Sequence, residues 1–430
     1  MYQQTIITLV IMIIAYALSL WRLKSAEISM VISAIAGAIA AGLGFPTRIL
    51  VEGTFTYLDL GLIFVTASIF INIYAEIGAI NAMVITVVEK FYNKKWILFS
   101  LMVLIMLIPG ALTGAGSVSI FVVGGIVAKI MQYMGISKAR TAGFIYVTAM
   151  LSAAAPPINL WAMIMAAGAN MPYVGFTYIL LVPILIIAFF AIVYFGRGGV
   201  AQKKEEIISQ IPKPPENLTG IRIALPLLTL IVLFLLSQYF AFSIPVLGLP
   251  LMFIICALVT MIVNPKKTTL QQYYLIVVNT LEQVFPLLAT VISVGVLVNV
   301  MTATGVRGLV AITFITLQLF FVYATILIFG PFAQGSLSYG SAVIIGVPII
   351  FLFNTMGINN TVVAAALSLI FPLGDCLPPS MIVGRVTIET VSFKGSYIEF
   401  LKSIAIPWLF MGGIALLMLI YANKLSFLVI

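Results

Sequence analysis

Long apolar runs recur along the chain and constrain its fold more than any other feature. Seven of these runs approach or reach the ~20 residues with which an α-helix crosses a bilayer. They lie at residues 5–20, 28–45, 58–75, 176–195, 223–242, 246–263 and 403–422. Only 8% of the residues are charged, whereas a soluble domain has about a quarter, and a β-barrel would show short alternating segments. The pattern predicts an all-α polytopic membrane protein.

Several functions are disfavoured by what the chain lacks. It has no histidine, which removes His-based catalysis and His metal sites. No Walker A or Rossmann fingerprint is present, and Cys256 and Cys376 fall in apolar segments, so no disulfide framework is expected. The net charge of +9 comes from Lys and Arg in short loops, where they set membrane topology. We therefore expect neither an enzyme nor a nucleic-acid-binding protein.

The N-terminal apolar run is followed, not preceded, by positive charges, which predicts a retained first span rather than a cleaved signal peptide. The one long polar stretch, 197–222, carries charges and prolines typical of a cytoplasmic linker. It divides the chain into near-equal halves, 1–196 and 223–430.

The two halves share an ordered series of features 222 positions apart. "MGIS" at 134–137 aligns with "MGIN" at 356–359, and the double proline at 156–157 aligns with that at 378–379. A Gly/Ser-rich interruption precedes each MGI turn, at 110–119 and 330–341. Such a series at one spacing predicts an internal repeat.

Basic residues indicate that the repeats are inverted. Lys94 and Lys95 precede the first Gly/Ser interruption and Lys138 and Arg140 follow it, whereas the exit loop "NTMGINN" of the second has no Lys or Arg. By the positive-inside rule, the first segment opens to the cytoplasm and the second to the outside. Inverted repeats are the architecture of many secondary transporters.

Each half is predicted to contain a re-entrant hairpin and a proline-broken transmembrane helix. Non-helical backbone at membrane depth is tolerated only against protein or a water-filled cavity. The hairpins are expected at about 96–134 and 309–354, with arms too short to span, and the broken helices at about 141–170 and 361–384. Residues 155 and 377 precede the double prolines and should leave the α region.

The breaks are candidate binding sites, because freed carbonyls and half-helix C-termini suit a cation such as Na⁺, and half-helix N-termini suit an anion. The candidate Na⁺ ligands are Thr113, Gly114, Ser117, Ala154, Pro156, Asn159, Gly335, Ser336, Ser341, Gly374, Asp375 and Pro378. The candidate substrate-binding residues are Ser117, Asn159, Gln334, Ser336, Ser338, Ser380 and Arg385. Together they predict two cation sites with an anionic substrate between them.

Structural explanations compete at each position. Gly and Ser also serve close helix packing, and a single intramembrane proline is often only a kink. Asp375, as an ionisable residue at membrane depth, is the candidate coupling residue, but it could also cap the half-helix that follows. Arg385 could be an anion contact or a cytoplasmic anchor.

Two blocks of sequence resemble a known family. "GALTGAGSVSIFVVGGIVAKIMQYMGISKARTAGFIYVTAMLSAAAPPINLWAMIMAAGANMPYVGF" looks like the first hairpin-to-proline block of the large membrane subunit of TRAP transporters, which are tripartite ATP-independent periplasmic transporters. "MGINNTVVAAALSLIFPLGDCLPPSMIVGRVTIETVSFKGSYIEFLKSIAIPWLF" is similar to the family's closing block. The wider ion transporter superfamily shares this layout.

The resemblance implies an elevator-type, Na⁺-coupled transporter of carboxylates such as C4-dicarboxylates, in the bacterial inner membrane. It also implies a small four-helix membrane subunit and a periplasmic or lipid-anchored substrate-binding protein as partners. The chain departs from the family in its Gly/Ser-rich second turn and in Asp375, a position usually small or apolar there.

These departures keep an alternative open, a stand-alone carboxylate symporter coupled to H⁺ or Na⁺ that needs no binding protein. A channel, a membrane enzyme or a non-transporting scaffold are further alternatives. The inverted broken helices favour alternating access over a channel, and the chain shows no metal-ligand set or nucleophile motif of an enzyme.

Overall fold

The chain folds into helices throughout the part that its structure, a computed structural model, describes: residues 2–198, 208, 211–239, 247–266 and 268–429. Nine helices within these ranges are long and apolar enough to cross a membrane, judged by length and composition. The prediction of an all-α chain with many candidate spans is therefore confirmed. Of the 26 residues of the predicted linker, 11 (199–207, 209 and 210) lie outside the described residues.

Nineteen α-helices are described in these ranges, with each π-helical turn counted as part of the helix that contains it and the 3₁₀-helices Phe371–Cys376 and Ser426–Leu428 not counted. In chain order they are α1 Tyr2–Leu23, α2 Ala26–Ala40, α3 Thr47–Phe55, α4 Leu58–Glu76, α5 Ala79–Phe91, α6 Lys95–Thr113, α7 Gly116–Tyr133, α8 Lys138–Ala154, α9 Leu160–Gly168, α10 Phe176–Gly196, α11 Gly220–Tyr239, α12 Leu249–Val263, α13 Leu270–Ala303, α14 Val306–Thr316, α15 Leu319–Leu337, α16 Ala342–Thr355, α17 Asn360–Ile370, α18 Ile382–Val391 and α19 Tyr397–Ile420.

The helices pack into two bundles. The scaffold bundle consists of α1–α4 and α11–α13, in which α13 packs on α2, α3 and α4, and α12 packs on α4. The core bundle consists of α6–α10 and α15–α19, centred on α8, where every residue from Thr141 to Ala154 is buried. Small residues dominate α8, which lets neighbouring helices approach closely. The short helices α5 and α14 connect the scaffold bundle to the core bundle along the chain.

Several elements recur at the 222-residue spacing. A π-helical turn occupies Ile120–Gly124 in α7 and Ala342–Gly346 in α16, and α8 and α17 begin at Lys138 and Asn360. The scaffold differs between the halves, because α13 is one continuous helix of 34 residues where the first half has the separate helices α3 and α4. The inverted orientation of the halves stays a prediction.

Both double prolines interrupt helical structure. α8 ends at Ala154, and Ala155 is extended (φ −74°, ψ 146°) because the ring of Pro156 disfavours the α region for the preceding residue. α17 tightens into a 3₁₀-helix over Phe371–Cys376, and Leu377 is again extended (φ −93°, ψ 149°). Both Pro–Pro bonds are cis. Non-helical backbone therefore lies inside the core bundle at both predicted positions.

The turns also lie where the Gly/Ser-rich segments indicate, with two differences in the flanking helices. α6 and α7 have 19 and 18 residues, so by length each could cross a membrane, and the prediction of arms too short to span is wrong for the first hairpin. In the second hairpin α15 reaches 19 residues, whereas α16 has only 14. The second turn is preceded by α15, which begins at Leu319 rather than near 309, because Leu317 is extended (φ −73°, ψ 142°) and separates α14 as its own helix.

Candidate functional site

A cavity of about 250 Å³ lies between the two bundles. The core bundle contributes both turns, the segment after the second double proline, and one face of α18. The scaffold bundle contributes faces of α2, α4 and α13. The polar side chains in the cavity wall are Ser117, Ser338, Asp375 and Ser380 from the core bundle, and Glu27, Ser68, Asn72, Gln283 and Thr290 from the scaffold bundle. The cavity thus joins the predicted breaks to a face that the sequence did not indicate.

Asp375 is anchored by the buried side chain of Gln334. The Gln334 Nε2 donates to Asp375 Oδ1 at 2.9 Å, while its Oε1 accepts from Trp161 Nε1 at 3.0 Å and from Ser341 Oγ at 2.6 Å. Trp161 belongs to the first half and also stacks on Tyr339, with ring centroids 4.8 Å apart. The network therefore ties the second turn to the second break and to the helix that follows the first break.

Three backbone carbonyls of the second break converge on Gly335, the residue after Gln334. A Cβ placed on Gly335 would lie 3.0 Å from the Leu377 oxygen, 3.1 Å from that of Pro378 and 3.2 Å from that of Gly374. Only glycine lets the turn approach the break this closely. Oxygen donors of this kind, with the Asp375 carboxylate, suit a hard cation. These residues could hold Na⁺, and no cluster of three His, Cys, Asp or Glu side chains occurs among the described residues.

The first turn and break satisfy most of their polar groups internally. The Ser119 Oγ accepts from Gly110 N at 2.8 Å and lies 2.9 Å from the Ser152 Oγ, with which it is hydrogen-bonded. The Thr113 Oγ1 donates to Pro109 O at 2.8 Å, and Ile158 N donates to Ala111 O at 3.0 Å. This region therefore holds the turn against the break and offers fewer free side-chain groups to a ligand than the second.

Asn159 has a structural role in this arrangement. It is fully buried and caps α9, since its Oδ1 accepts from Ala162 N at 3.0 Å. Its Nδ2 donates to Ala154 O at 2.9 Å and to Ser368 Oγ at 2.7 Å. It is not part of the cavity wall, and a side chain with these partners is poorly suited to the predicted contact with substrate.

Arg385 is likewise not brought to the cavity. It is exposed on α18, whereas Ile382, Val383 and Val386 of that helix line the cavity. At 100° per residue, Arg385 points about 100° away from the centre of that face. The predicted anion contact by Arg385 therefore has no support in the geometry, and its alternative role as a cytoplasmic anchor stays a prediction.

Six further candidates lie at or behind the cavity wall. Ser117, Ser338, Asp375 and Ser380 line the cavity, and Gln334 and Ser341 lie behind Asp375. The carbonyl of Ser336 accepts from the hydroxyl of Tyr16 on α1 at 2.5 Å, which links the second turn to the scaffold bundle. Ser336 thus contributes a contact between the bundles.

The polar residues that the scaffold bundle contributes to the cavity wall were not predicted from the sequence. Glu27 is one of 12 acidic residues in the chain and stands at the edge of the apolar run 28–45, which is the one signal that could have drawn attention to it. Ser68 and Asn72 are polar residues inside the long apolar helix α4, and Gln283 follows Glu282 inside α13. Their convergence depends on how α4 and α13 pack.

Comparison with known proteins shows a shared fold. No protein-family model and no curated protein matches the chain. The solved structure of the YdaH transporter of Alcanivorax borkumensis is similar over 89% of this chain and 89% of its own, with 12% identity and a TM-score of 0.65. MtrF of Neisseria gonorrhoeae, described with a class of antimetabolite efflux pumps, is similar over 87% of this chain and 83% of its own, with 14% identity and a TM-score of 0.65. The chain therefore has the fold of these membrane transporters.

Neither of these two proteins is a TRAP large subunit. The TRAP resemblance remains a prediction from sequence.

Proposed function

We propose that the chain is a cation-coupled secondary transporter of a small organic anion. The observation that carries the proposal is the cavity between the bundles, whose wall combines both Gly/Ser-rich turns with the Asp375 carboxylate. Two membrane transporters share the fold. Na⁺ is the proposed coupling ion, and H⁺ on Asp375 is the alternative.

The cation is proposed to bind at the second break. Asp375 has the amide of Gln334 as its hydrogen-bonding partner, and the cavity wall contains no Lys or Arg. A carboxylate at this depth needs a counter-charge or a proton. Na⁺ bound by Asp375 and the carbonyls of Gly374, Leu377 and Pro378 would supply the counter-charge.

The anion is proposed to bind at the start of α7. Ala115, Gly116, Ser117 and Val118 line the cavity, and the first N–H groups of a helix have no partner within it. These groups and the helix dipole favour a carboxylate. A cation at Asp375 would lower the repulsion that the anion meets in the same cavity. Each ligand would therefore raise the affinity for the other, as coupled transport requires.

Alternating access is proposed to occur by an elevator movement of the core bundle against the scaffold bundle. α5 and α14 occupy corresponding places as the connections between the bundles, and the cavity lies on the boundary. The chain would then be a multi-pass protein of the bacterial inner membrane.

Two forms of the transporter are proposed. In one, the chain is the large subunit of a TRAP-type system for C4-dicarboxylates, with the four-helix subunit and a binding protein as partners. In the other it acts alone as an H⁺- or Na⁺-coupled symporter. Uptake by the purified chain in the absence of any partner would decide for the second.

The proposed activity is tested with the purified chain in proteoliposomes, using radiolabelled succinate and, in parallel, aspartate. We expect at least one probe to accumulate when an inward Na⁺ gradient is imposed, and not when choline replaces Na⁺. Asp59→Asn is the matched control for Asp375→Asn, because Asp59 is exposed and does not line the cavity. Equal uptake by the wild type and Asp375→Asn would contradict the proposal.

A further inference from the structure

Glu27 brings a second carboxylate to the cavity, from the scaffold side. It is half-buried in the first turn of α2. Its Oε1 accepts from Thr290 Oγ1 at 2.9 Å, and its Oε2 accepts from Ser25 Oγ at 2.8 Å. The hydroxyls fix the orientation of the carboxylate without neutralising it.

Among the described residues, no Lys or Arg forms an ion pair with Glu27. The cavity wall contains no Lys or Arg, and the one ion pair among the described residues joins Arg48 to Glu52 elsewhere. A favourable interaction with the start of α2 accounts for an acid near this helix end. It does not account for an acid directed at the cavity through which an anion is proposed to pass.

Ser68 is an independent sign of a polar ligand at the scaffold wall of the cavity. Its side chain is buried, lines the cavity, and its Oγ has no hydrogen-bond partner. A buried hydroxyl without a partner is unfavourable, because it has lost its hydrogen bonds to water and gained none in the protein. A ligand carrying polar hydrogen atoms at the scaffold wall would remove that cost.

The two walls of the cavity therefore prefer opposite charges. The start of α7 in the core bundle favours a carboxylate, and Glu27 in the scaffold bundle favours a cation. We infer that the substrate is an amino carboxylate whose ammonium group binds Glu27 and lies near Ser68 while its carboxylate binds at the first turn. This inference rests on the proposed function and narrows its substrate class. A dicarboxylate would place its second negative charge against Glu27.

The test measures binding by thermal stabilisation of the purified full chain in NaCl. The probes are unbranched mono-, di- and ω-amino carboxylates of three to five carbons, together with aspartate and glutamate. We expect an amino carboxylate to bind at least about tenfold tighter than the dicarboxylate and monocarboxylate of equal length, in line with the strength of one charge-assisted hydrogen bond. Glu27→Gln should remove this preference, and Ser68→Ala should weaken it.

Glu52→Gln is the matched control, because Glu52 is exposed and absent from the cavity wall. It should keep the wild-type preference. A dicarboxylate that binds tighter than every amino carboxylate in NaCl would overturn the inference and leave the proposed function intact. So would a preference for amino carboxylates that Glu27→Gln does not change, since Glu27 would then not be the recognising group. Failure of all probes to bind, with or without Na⁺, would overturn both.

Discussion

The two places where a turn meets a double-proline break have similar backbones and different side chains. The first unit comprises residues 110–119 and 152–159, and the second comprises 330–341 and 374–380. At the 222-residue spacing, Leu112 corresponds to Gln334 and Ala153 to Asp375. The hydrogen-bonded amide and carboxylate of the second unit thus have apolar counterparts in the first. The fold requires two breaks, and the second unit adds an ionisable group to its break.

The units also differ in how closely the turn and break approach. Ser152 in the first unit has room for its hydroxyl, which bonds Ser119. At the corresponding Gly374, an added Cβ would lie 1.9 Å from the backbone oxygen of Pro331. The second unit is therefore packed backbone against backbone, which brings carbonyl oxygens close to Gly335 and Gly374.

The largest expected effect comes from Gly374→Ala. The new Cβ would collide with the Pro331 carbonyl, so we expect a loss of about 3 kcal/mol or more in the free energy of unfolding. The matched substitution Ser152→Ala removes hydroxyl bonds only and should cost about 1 kcal/mol. Thermal unfolding of both variants in detergent measures the difference. Equal destabilisation would mean that the units are packed alike.

Asp375→Asn should lower cation-coupled uptake about 100-fold, since coupling energies of 1–3 kcal/mol are typical and this residue is proposed to supply the charge. The amide is isosteric and can keep the contact with Gln334, so the fold should persist in the absence of Na⁺. Uptake under a Na⁺ gradient is the measurement, with Asp59→Asn as control. An Asp375→Asn variant that still accumulates substrate would place coupling elsewhere.

Gln334→Leu makes the second unit resemble the first at this position. It removes the acceptor of Trp161 and Ser341 and the donor of Asp375, and we expect a loss of about 2–3 kcal/mol because buried partners are left unpaired. The reciprocal Leu112→Gln places an amide in an apolar site and should cost about 2 kcal/mol. Only Gln334→Leu should also weaken the response to Na⁺. A change in that response for Leu112→Gln would show that the first unit binds the cation as well.

The smallest effects are expected from the serines at corresponding positions, Ser119 and Ser341. Each substitution to alanine removes hydroxyl hydrogen bonds and should cost about 1 kcal/mol. Ser119→Ala should change the melting temperature alone, whereas Ser341→Ala should also reduce Na⁺-dependent stabilisation, because Ser341 holds Gln334. If NaCl stabilises both variants equally relative to choline chloride, the two units do not differ in cation binding as proposed.

The fold could be predicted to the extent that it depends on local sequence. Apolar runs, the linker between the halves and the prolines at 156 and 378 each act on the residues around them, and the structure contains the breaks they predict. The boundary at Leu317 could not be predicted, because no glycine or proline marks it within a long apolar stretch.

The site could be predicted only in part for a similar reason. Asp375, Ser117 and Ser380 lie within the interrupted segments themselves, so their sequence neighbours mark them. Glu27 and Ser68 reach the cavity only through the packing of α2 and α4 against the core bundle. The capping role of Asn159 could not be predicted, because an asparagine after two prolines has the same appearance in the sequence whether it binds a ligand or caps the next helix.

The most direct test of the account is the melting temperature of the purified wild type and Asp375→Asn as NaCl replaces choline chloride at constant ionic strength. A ligand at a hundredfold excess over its Kd stabilises the native state by about 2.7 kcal/mol. The account predicts a saturable, Na⁺-specific rise in the wild type that Asp375→Asn largely loses. A rise of equal size in both proteins, or no rise in the wild type, would contradict Na⁺ binding at the second unit.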